Sequence, residues 1–361
     1  MIPYLQKNAI KQNGQGKPMR VTIKDVARAA NVSPATVSLV MNNRQAPVSP
    51  ATRERVLNAA REMRYRPNQM AVALTTRKTN TIGLIIPDIT NLFHSAYCEQ
   101  IERAAEELSY STIIRIARND LQDTVRFLCD FEDRAVDGVI LTKSLFADPQ
   151  DTFECMQTVK EMRIPVMLTD RVPREFAAGA VLPNDYLGGL LAVRHLIDLG
   201  HRQIGCITGS MHYENCKDRL RGYRDALQEA GIPYDPSLVF EGNWEVDSGM
   251  RALPYLLGKK VTGIFAFNDM TAYGVYKQAR NYNLRIPEDI SVVGYDDLIF
   301  SDLIDPPLTT LEYPIAQMAA GVVERLIAKI DNKPVSDEPL VFDPILKVKG
   351  STARLHRHAQ P

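Results

Sequence analysis

The sequence has few of the features that indicate an exported, membrane-bound or metal-binding protein. Its five cysteines are scattered and form no C-x-x-C pair, so neither a disulfide framework nor a zinc site is expected. The longest apolar run near a predicted strand, TIGLIIP, is far shorter than the roughly 20 residues of a membrane span. Residues 1–18 lack the apolar centre of a signal peptide. We therefore expect a cytoplasmic protein with no membrane partner and no bound metal.

Motifs for catalysis are also missing. The sequence contains no G-x-G-x-x-G or G-x-x-x-x-G-K-[ST] phosphate loop, no G-x-S-x-G nucleophile elbow and no H-E-x-x-H zinc motif. His195 lies one and two helical turns from Leu191 and Leu187, a spacing that favours a packed histidine over a catalytic base. Neither an enzyme nor a cofactor is expected.

The net charge of zero conceals a basic N-terminal segment. Residues 1–80 contain 14 lysines and arginines and three acids, a net charge of +11, and the remaining 29 basic and 40 acidic residues give −11. Short helical domains are sometimes basic by chance. So large an excess beside an acidic body nevertheless favours a polyanionic partner.

Three helix starts follow one another in this basic segment. Thr22 and Asp25 form a T-x-x-D pattern, similar to a capping box, ahead of an apolar face that predicts a helix over 23–30. The Ser-Pro pairs at 33–34 and 49–50 each place an N-cap before a proline at the first helical position, and they predict the second and third helices. Three short helices with a tight turn between the first two are typical of a helix-turn-helix domain.

The second of these helices has an uncharged side that suits the major groove of DNA. Val37, Val40 and Met41 have the spacing of an inward face, so the remaining positions should face outward. Small apolar and polar side chains there can contact thymine methyls and hydrogen-bond to base edges. The predicted base-reading residues are Pro34, Ala35, Ser38, Leu39 and Asn42. The predicted phosphate-binding residues are Arg20, Thr22, Lys24, Ser33, Thr36, Arg44, Arg53 and Arg55. A small helical bundle used for protein contact is the alternative.

From Thr81 onward, apolar runs typical of strands alternate with segments of helical periodicity. The runs lie at 82–86, 112–117, 138–142, 165–169, 204–208, 263–267 and 291–295. This alternation predicts parallel sheets with helices on both faces. Because the pattern restarts after PREFAAGAVLPNDYLGG, we predict two Rossmann-like lobes with a ligand in the cleft at the carboxyl ends of their strands.

Polar residues follow three of the predicted strands. They are Asp170, Asn268 and Asp296; Arg219 lies on a later predicted helix, and Trp244 is the only tryptophan. Carboxylates and amides bind hydroxyls, an arginine can bind two oxygens, and an indole face can stack on a pyranose. Each residue also has an ordinary structural explanation. An aspartate after a strand caps a helix as often as it binds a ligand, and a lone tryptophan lies in the core as often as in a binding site.

The residues from Val21 to Leu74 carry a resemblance to a known family. This segment, VTIKDVARAANVSPATVSLVMNNRQAPVSPATRERVLNAAREMRYRPNQMAVAL, resembles the DNA-binding head of the lactose-repressor/galactose-repressor (LacI/GalR) family of bacterial transcription regulators. The resemblance implies an α/β protein with a small all-α helix-turn-helix head and a two-lobed effector domain like a periplasmic binding protein. The expected divisions are a disordered extension (1–19), the helix-turn-helix domain (20–66), a hinge helix and linker (67–80) and an effector-binding and dimerisation domain (81–355). Its lobes would comprise 81–180 with 312–341, and 181–311 with 342–355.

In that family a hinge helix after the third helix inserts a leucine into the minor groove at the operator centre. The resemblance assigns this hinge to Asn68, Ala71 and Leu74. Proline followed by asparagine at 67–68 fits a stop followed by a cap, and a basic flank can hold the DNA backbone while an apolar wedge kinks it. So short a helix is unstable alone, so we expect it to order only on DNA and beside a second subunit.

The resemblance also implies an effector site. Its residues would be Phe93, His94, Asp170, Arg171, Arg219, Trp244, Asn268 and Asp296, with Phe93 and His94 in the loop after the first strand. Relatives that respond to purines or nucleosides use aromatic residues at several of these places, and Arg171 replaces one of them. A sugar is therefore the expected effector, and a purine or nucleoside the alternative.

Together these features predict a repressor that binds a palindromic operator as a homodimer under the control of a small effector. Two recognition helices related by a twofold axis reach half-sites one turn apart. Pro34, Ala35 and Leu39 depart from the larger polar or basic side chains common in the family, so the operator sequence cannot be copied from a relative. A solute-binding protein is opposed by the basic head, and an α/β enzyme by the missing motifs.

Overall fold

The protein is described by a computed structural model that covers residues 21–41, 48–67, 73, 78–142 and 149–355. The chain divides into two units, Met1–Thr79 and Asn80–Pro361. Several predictions lie outside the described residues: the extension 1–19, the DNA contacts Arg20, Asn42 and Arg44, and the hinge residues Asn68, Ala71 and Leu74.

The first unit contains three helices, each with a local start signal. They are α1 (Ile23–Ala30), α2 (Pro34–Met41) and α3 (Pro50–Glu62). At α1 the Asp25 carboxylate accepts hydrogen bonds from the Thr22 N–H at 3.0 Å and hydroxyl at 2.7 Å. At α2 the Ser33 Oγ accepts from the Thr36 N–H at 3.1 Å. These bonds satisfy groups that a helix start leaves open, which is why the predicted starts agree with the structure.

A small apolar core joins the three helices. Val26, Val37 and Val56, one from each helix, are fully buried in it. Asn31, with a φ of 51°, ends α1 in the left-handed conformation, and the Val32 N–H then bonds to the Ala27 carbonyl at 3.0 Å. This turn brings α2 across α1, as the helix-turn-helix pattern requires.

The second unit contains two six-stranded sheets in its described part. In chain order the strands are β1 (Thr81–Ile86), β2 (Ser111–Ile116), β3 (Gly138–Thr142), β4 (Val166–Thr169), β5 (Val181–Pro183), β6 (Ile204–Thr208), β7 (Val239–Glu241), β8 (Gly263–Ala266), β9 (Ser291–Asp296), β10 (Thr309–Glu312), β11 (Leu340–Phe342) and β12 (Ile345–Lys347). The first lobe has the order β11-β5-β4-β3-β1-β2 and the second β12-β10-β9-β8-β6-β7. All neighbouring strands are parallel except β10 and β12.

Helices connect the strands. They are α4 (Leu92–Glu107), α5 (Leu121–Asp133), α6 (Pro149–Glu161), α7 (Asp185–Asp198), α8 (Glu214–Glu229), α9 (Val246–Leu257), α10 (Asp269–Asn281) and α11 (Ile315–Ile330). The central strands β3, β6 and β8 are buried throughout, because helices cover both faces of each sheet. The seven apolar runs of the sequence match seven strands, with ends that differ by at most one residue.

The chain crosses between the lobes at 184, 313–314 and 343–344. These points replace the lobe boundaries predicted near 181, 311 and 342, because β5 belongs to the first sheet and Glu312 still belongs to the second. The structure also adds five short strands that the sequence did not reveal: β5, β7, β10, β11 and β12. Strands of three or four residues are too short for periodicity to identify them.

Two glycines allow α7 and α8 to approach closely. A Cβ added at Gly222 would lie 2.2 Å from the Tyr186 carbonyl oxygen, and one at Gly189 would lie 2.2 Å from that of Arg219. The helix pair packs almost backbone to backbone. This fixes Arg219 on α8 opposite Asp185 at the start of α7.

Three further expectations can be compared with the described residues. All five cysteines are free thiols, and four of them are buried. Over the described ranges, no helix has both the length and the hydrophobicity to cross a membrane. Within the same ranges no cluster of three or more histidine, cysteine or acidic side chains has the arrangement of a metal site.

We predict that Gly222→Ala destabilises the second unit, because its methyl group meets backbone atoms that cannot move aside. Overpacking of this kind typically costs about 1–3 kcal/mol. Trp244 lies in this unit, so its fluorescence can follow urea unfolding. Gly258→Ala is the matched control, since Gly258 has a φ of −59° and its added Cβ would be 3.3 Å from the nearest atom. Equal midpoints for the two variants would show that the helices tolerate a wider separation.

Candidate ligand-binding and nucleic-acid-binding sites

A narrow cavity of about 10 Å³ lies between the two lobes, at the carboxyl ends of the strands. This is room for roughly one water molecule, so a larger ligand fits only if the lobes move apart. The residues that line it are Asn91, Phe93, Asp170, Arg171, Asn215, Arg219, Trp244, Asn268, Asp296 and Tyr313. Seven of the eight effector residues predicted from the sequence are among them, and His94 is the exception.

Asp170 and Arg171 form one wall directly after β4. Asp170 adopts a φ of 69°, and its Oδ1 accepts a hydrogen bond from the Tyr313 hydroxyl at 2.6 Å. Its Oδ2 lies 3.7 Å from the Arg171 Nε, too far for a hydrogen bond. Both atoms are buried, and neither has a hydrogen-bond partner in the part of the chain that the structure describes. Each is therefore available to a ligand.

Phe93 and His94 lie in the first turn of α4 and not in the loop after β1, which corrects the sequence-based placement. The side chain of Asn91 caps this helix by accepting the Phe93 N–H at 3.0 Å, so the helix begins earlier than expected. Phe93 lines the cavity and meets the Tyr313 ring edge to face at 4.7 Å. His94 is buried beside it. Burial, assisted by the Arg171 charge, lowers the pKa of His94 well below its usual value and keeps the imidazole neutral.

Arg219 carries a buried charge on the opposite wall. Its Nε donates to the Asp185 Oδ1 at 2.7 Å, its Nη1 donates to the Phe267 carbonyl, and its guanidinium carbon lies 3.5 Å from the centre of the Tyr295 ring. Burial opposes the charge, but Asp185 together with Tyr295, Asp296 and Tyr313 outweighs it, so the pKa of Arg219 lies above its usual value. Burial raises the pKa of Asp185 to about 6 despite Arg219, so both groups are charged at neutral pH.

Asn268 and Asp296 complete this wall in different ways. The Asn268 side chain accepts the Thr271 N–H at 3.0 Å and donates to the Trp244 carbonyl at 2.9 Å, so it holds the loop that carries Trp244. Burial raises the pKa of Asp296 well above its usual range, and Asp269 adds to this effect while Arg219 opposes it. A protonated Asp296 can donate as well as accept a hydrogen bond.

Four buried polar atoms at the cavity have no hydrogen-bond partner among the described residues. They are Asp170 Oδ2, Arg171 Nε, Asn215 Oδ1 and Trp244 Nε1. Buried polar atoms are normally satisfied, and leaving one unsatisfied costs about 1–3 kcal/mol. Their convergence on one small space indicates a site built for a polar ligand.

Sequence analysis missed four residues of this site. Asn215 precedes Arg219 by one turn on the same helix, so helical spacing from Arg219 would have found it. Asn91 and Asp185 lie at helix starts, where they look like ordinary capping residues. Tyr313 lies in the second crossover, and no local pattern marks it.

The second helix of the first unit presents a mixed surface. Pro34 and Ala35 are exposed, whereas Ser38 and Leu39 are half-buried. Leu39 nevertheless does not belong to the apolar core of this unit, to which Val37, Val40 and Met41 contribute. Its side chain is therefore less exposed than the sequence predicted, although it stays outside the core.

The predicted phosphate contacts fall into two groups. Lys24 and Arg55 are exposed, and Arg53 is half-buried. Thr22, Ser33 and Thr36 take part in the bonds that start α1 and α2. The second group lies at helix N-termini, where backbone N–H groups and the helix dipole favour phosphate.

Comparisons with known proteins agree with this geometry. Residues 22–68 match the family model of bacterial regulatory proteins, lacI family, and residues 193–352 match that of a periplasmic binding protein-like domain. The chain is 34% identical to the HTH-type transcriptional regulator DegA of Bacillus subtilis, covering 94% of this chain and 100% of that protein. It is 33% identical to the ribose operon repressor of Haemophilus influenzae, with 91% and 98% coverage. It is also 33% identical to the transcriptional repressor PurR of Aliivibrio salmonicida, with 86% and 93% coverage.

Solved structures give the same result. The Lac repressor dimer bound to operator and the anti-inducer ONPF superposes with a TM-score of 0.81 at 28% identity, covering 93% of this chain and 100% of that one. A LacI family regulator from Enterococcus faecium with bound ribose superposes with a TM-score of 0.67 at 30% identity, covering 76% and 100%. The chain therefore belongs to the LacI family of bacterial regulatory proteins and is a DNA-binding regulator of transcription, not an enzyme.

Proposed function

We propose that this regulator represses transcription by binding a palindromic operator as a homodimer, and that a sugar bound between its lobes controls its affinity for DNA. The proposal that an effector binds between the lobes rests on the four polar atoms of the interlobe cavity that have no hydrogen-bond partner among the described residues. A ligand that satisfies them gains hydrogen bonds that no protein group supplies, and this binding energy is available for a conformational change.

Sugar hydroxyls fit this set because each hydroxyl both donates and accepts. Arg171 Nε and Trp244 Nε1 are donors, whereas Asp170 Oδ2 and Asn215 Oδ1 are acceptors. Two of the similar proteins are linked to ribose by name or by bound ligand. The similarity to PurR supports the purine alternative, which the effector panel below includes.

The proposal of operator binding rests on the basic charge of the first unit. Lys24 on α1 and Arg55 on α3 are exposed, and the predicted base-reading residues Pro34, Ala35, Ser38 and Leu39 lie on α2. A single recognition helix covers only a few base pairs, so a symmetric pair is needed for a specific operator. The predicted hinge contacts of Asn68, Ala71 and Leu74 belong to the same proposal. A regulator of this kind acts on DNA, so we expect it in the cytoplasm.

Control by the effector requires lobes whose arrangement a ligand can shift. Arg174 of the first lobe makes ion pairs with two residues of α8 in the second lobe, Glu214 at 2.9 Å and Asp218 at 2.7 Å. Because the Arg174 side chain is 61% exposed, each pair contributes at most about 1 kcal/mol. So weak an interaction favours the arrangement in which the lobes are close together, but it does not prevent them from separating. The effector can therefore change the populations of the two arrangements.

Our first functional prediction concerns operator and effector together. Selection from random DNA should yield a palindromic operator. A monosaccharide should change the affinity of the protein for that operator. It should also change the fluorescence emission of Trp244, which lies in the cavity. The panel contains D-ribose, D-glucose, D-galactose, adenosine, guanine and hypoxanthine, each tested by DNA binding and by fluorescence titration. A response to purines alone would replace the sugar assignment, and no preference for any palindrome would refute the operator assignment.

Leu39→Ala should weaken binding to the selected operator by about tenfold while leaving binding to random duplex nearly unchanged, because the leucine contacts bases and not phosphates. Lys24→Ala is the comparison. It should weaken both DNAs equally and lower the slope of log K against log salt by about one. Circular dichroism melting checks that each variant is folded. Equal losses on both DNAs for Leu39→Ala would count against base reading by this residue.

Arg174→Ala should weaken effector binding by up to about fivefold, because it removes ion pairs made only across the closed cleft. The loss should shrink as salt is raised. Arg194→Ala is the matched control, since Arg194 pairs with Glu229 inside the second lobe. Titration calorimetry at two salt concentrations measures both variants. A salt-independent loss, or one of equal size in the control, would contradict a role in closure.

A further inference from the structure

We infer that Asp269, a fully buried carboxylate behind the cavity, is the positioning residue for the Asn268 and Asp296 side of its wall, and that it acts through its negative charge. Asp269 is the first residue of α10 and does not itself line the cavity. The inference rests on the proposed function, because this wall belongs to the proposed effector site. It is supported by the contacts of the carboxylate, by the backbone beside Asp296 and by the burial of the charge.

The Asp269 carboxylate joins the start of α10 to two other parts of the second lobe. Its Oδ1 accepts a hydrogen bond from the Thr310 hydroxyl of β10 at 2.6 Å. Its Oδ2 accepts from the Leu298 N–H at 2.8 Å and from the Ser301 hydroxyl at 2.6 Å, both in the turn after β9. Asp269 has no exposed surface. A buried carboxylate with donors on both oxygens is fixed in one orientation, so it also fixes the groups that donate to it.

Contacts of Asp269 lie on both sides of Asp296 in the chain. Two residues before Asp296, a Cβ added at Gly294 would be 2.2 Å from the Asp269 Oδ1, so the carboxylate lies against the bare backbone of β9. Two residues after Asp296, the Leu298 N–H donates to the Asp269 Oδ2. The end of the strand that carries Asp296 is therefore fixed on both sides by one carboxylate.

The backbone at Asp296 requires this support. Asp296 has a φ of 116° and Asp297 a φ of 55°. Positive φ values are uncommon for residues with a side chain, and they persist where surrounding bonds impose them. The Leu298 N–H that binds Asp269 follows these two residues directly, and Lys349 adds a restraint at 2.7 Å from the Asp297 Oδ1. Asp269 thus maintains the turn that places Asp296 in the cavity wall.

Asn268 is positioned through the chain itself. It directly precedes Asp269, and its side chain donates to the Trp244 carbonyl at 2.9 Å. Anchoring Asp269 therefore also anchors the residue that holds the loop of Trp244.

The charge of Asp269 sets the strength of its bonds to the turn. Burial raises the pKa of Asp269 to about 6, whereas the hydrogen bonds from Ser301, Thr310 and Leu298 lower it. The group is therefore ionised above pH 7, and hydrogen bonds to an ionised acceptor are roughly twice as strong as neutral ones. A proton added at low pH fits on Oδ1, because the Thr310 hydroxyl can rotate to accept it, whereas the Leu298 N–H on Oδ2 can only donate.

Other ionisable side chains surround Asp269. Asp296 and Asp297 interact with it from the turn after β9, and Tyr273 and Tyr276 from α10. Burial raises the pKa of both tyrosines above its usual value, so they stay neutral between pH 5 and 8. Burial also raises the pKa of Asp296, and the Asp269 charge adds to this effect. The charge of Asp269 therefore influences the protonation of Asp296 as well as its position.

Asp269→Asn tests the charge, because it keeps the shape of the side chain. The amide hydrogen of Leu298 should exchange about fivefold faster at pH 7.5, since its acceptor becomes neutral. Hydrogen–deuterium exchange of peptides from 294–303 measures this without an effector. Asp235→Asn is the matched control: Asp235 accepts the Ser237 N–H at 2.8 Å elsewhere in the second lobe, so exchange over 294–303 should not change. Unchanged exchange in Asp269→Asn would overturn the inference.

A second measurement uses whichever of D-ribose, D-glucose and D-galactose binds the native protein. Its affinity should be about threefold weaker in Asp269→Asn at pH 8, and the ratio of the two affinities should approach one at pH 5, where native Asp269 is neutral too. Groups outside this cluster that titrate in both proteins, such as Asp185 and His94, affect both affinities alike. A ratio that is constant from pH 5 to 8 would refute a role of the charge.

Ser301→Ala is the alternative variant if Asp269→Asn does not fold. It removes one donor to the Asp269 Oδ2 and leaves the carboxylate in place, so exchange of the Leu298 amide should rise about threefold. Exchange equal to that of the native protein would then overturn the inference.

The exchange and affinity measurements distinguish failure of this inference from failure of the proposed function. If no sugar binds the native protein, the sugar assignment fails, and amide exchange still decides whether Asp269 holds the turn. If a sugar binds but neither exchange nor the affinity ratio responds to the charge of Asp269, the inference is wrong and the proposed function stands.

Discussion

The buried charge of Arg219 is the interaction on which the ligand-binding wall depends. A guanidinium removed from water is stable only where other groups replace its hydration. Here Asp185 supplies the opposite charge, the Phe267 carbonyl accepts a hydrogen bond and the Tyr295 ring offers its face. These partners come from the start of α7, the end of β8 and the end of β9. One charge therefore holds three elements of the second lobe in register.

The same arrangement connects the wall to helix packing. Asp185 meets Arg219 only because α7 and α8 nearly touch, which the missing side chains of Gly189 and Gly222 permit. On the other side of the cavity the Tyr313 hydroxyl holds Asp170 in place. The polar groups are thus positioned before a ligand arrives, so little conformational entropy is lost on binding. The unsatisfied atoms and left-handed backbones of Asp170 and Trp244 are a stability cost that a binding site typically carries.

Local signals explain which parts of the molecule the sequence revealed. The bonds of Thr22 with Asp25 and of Ser33 with Thr36 join residues three positions apart, so the helix starts are readable directly from the sequence. Asp170, Asn268 and Asp296 follow strands that are visible as apolar runs. Tyr313 depends instead on a partner 143 residues away, and its role arises only when the chain has folded. The half-burial of Leu39 also depends on tertiary packing, which periodicity alone cannot supply.

The three crossovers at 184, 313–314 and 343–344 have a consequence for how the lobes move. A single connecting strand would allow the lobes to twist, slide or swing apart in any direction. Three adjacent connections resist translation of one lobe relative to the other. They permit mainly a hinge rotation about the line that joins them. The second crossover also contributes Tyr313 to the cavity. Under the proposed control by an effector, a ligand in contact with Tyr313 would lie beside the line about which the lobes rotate.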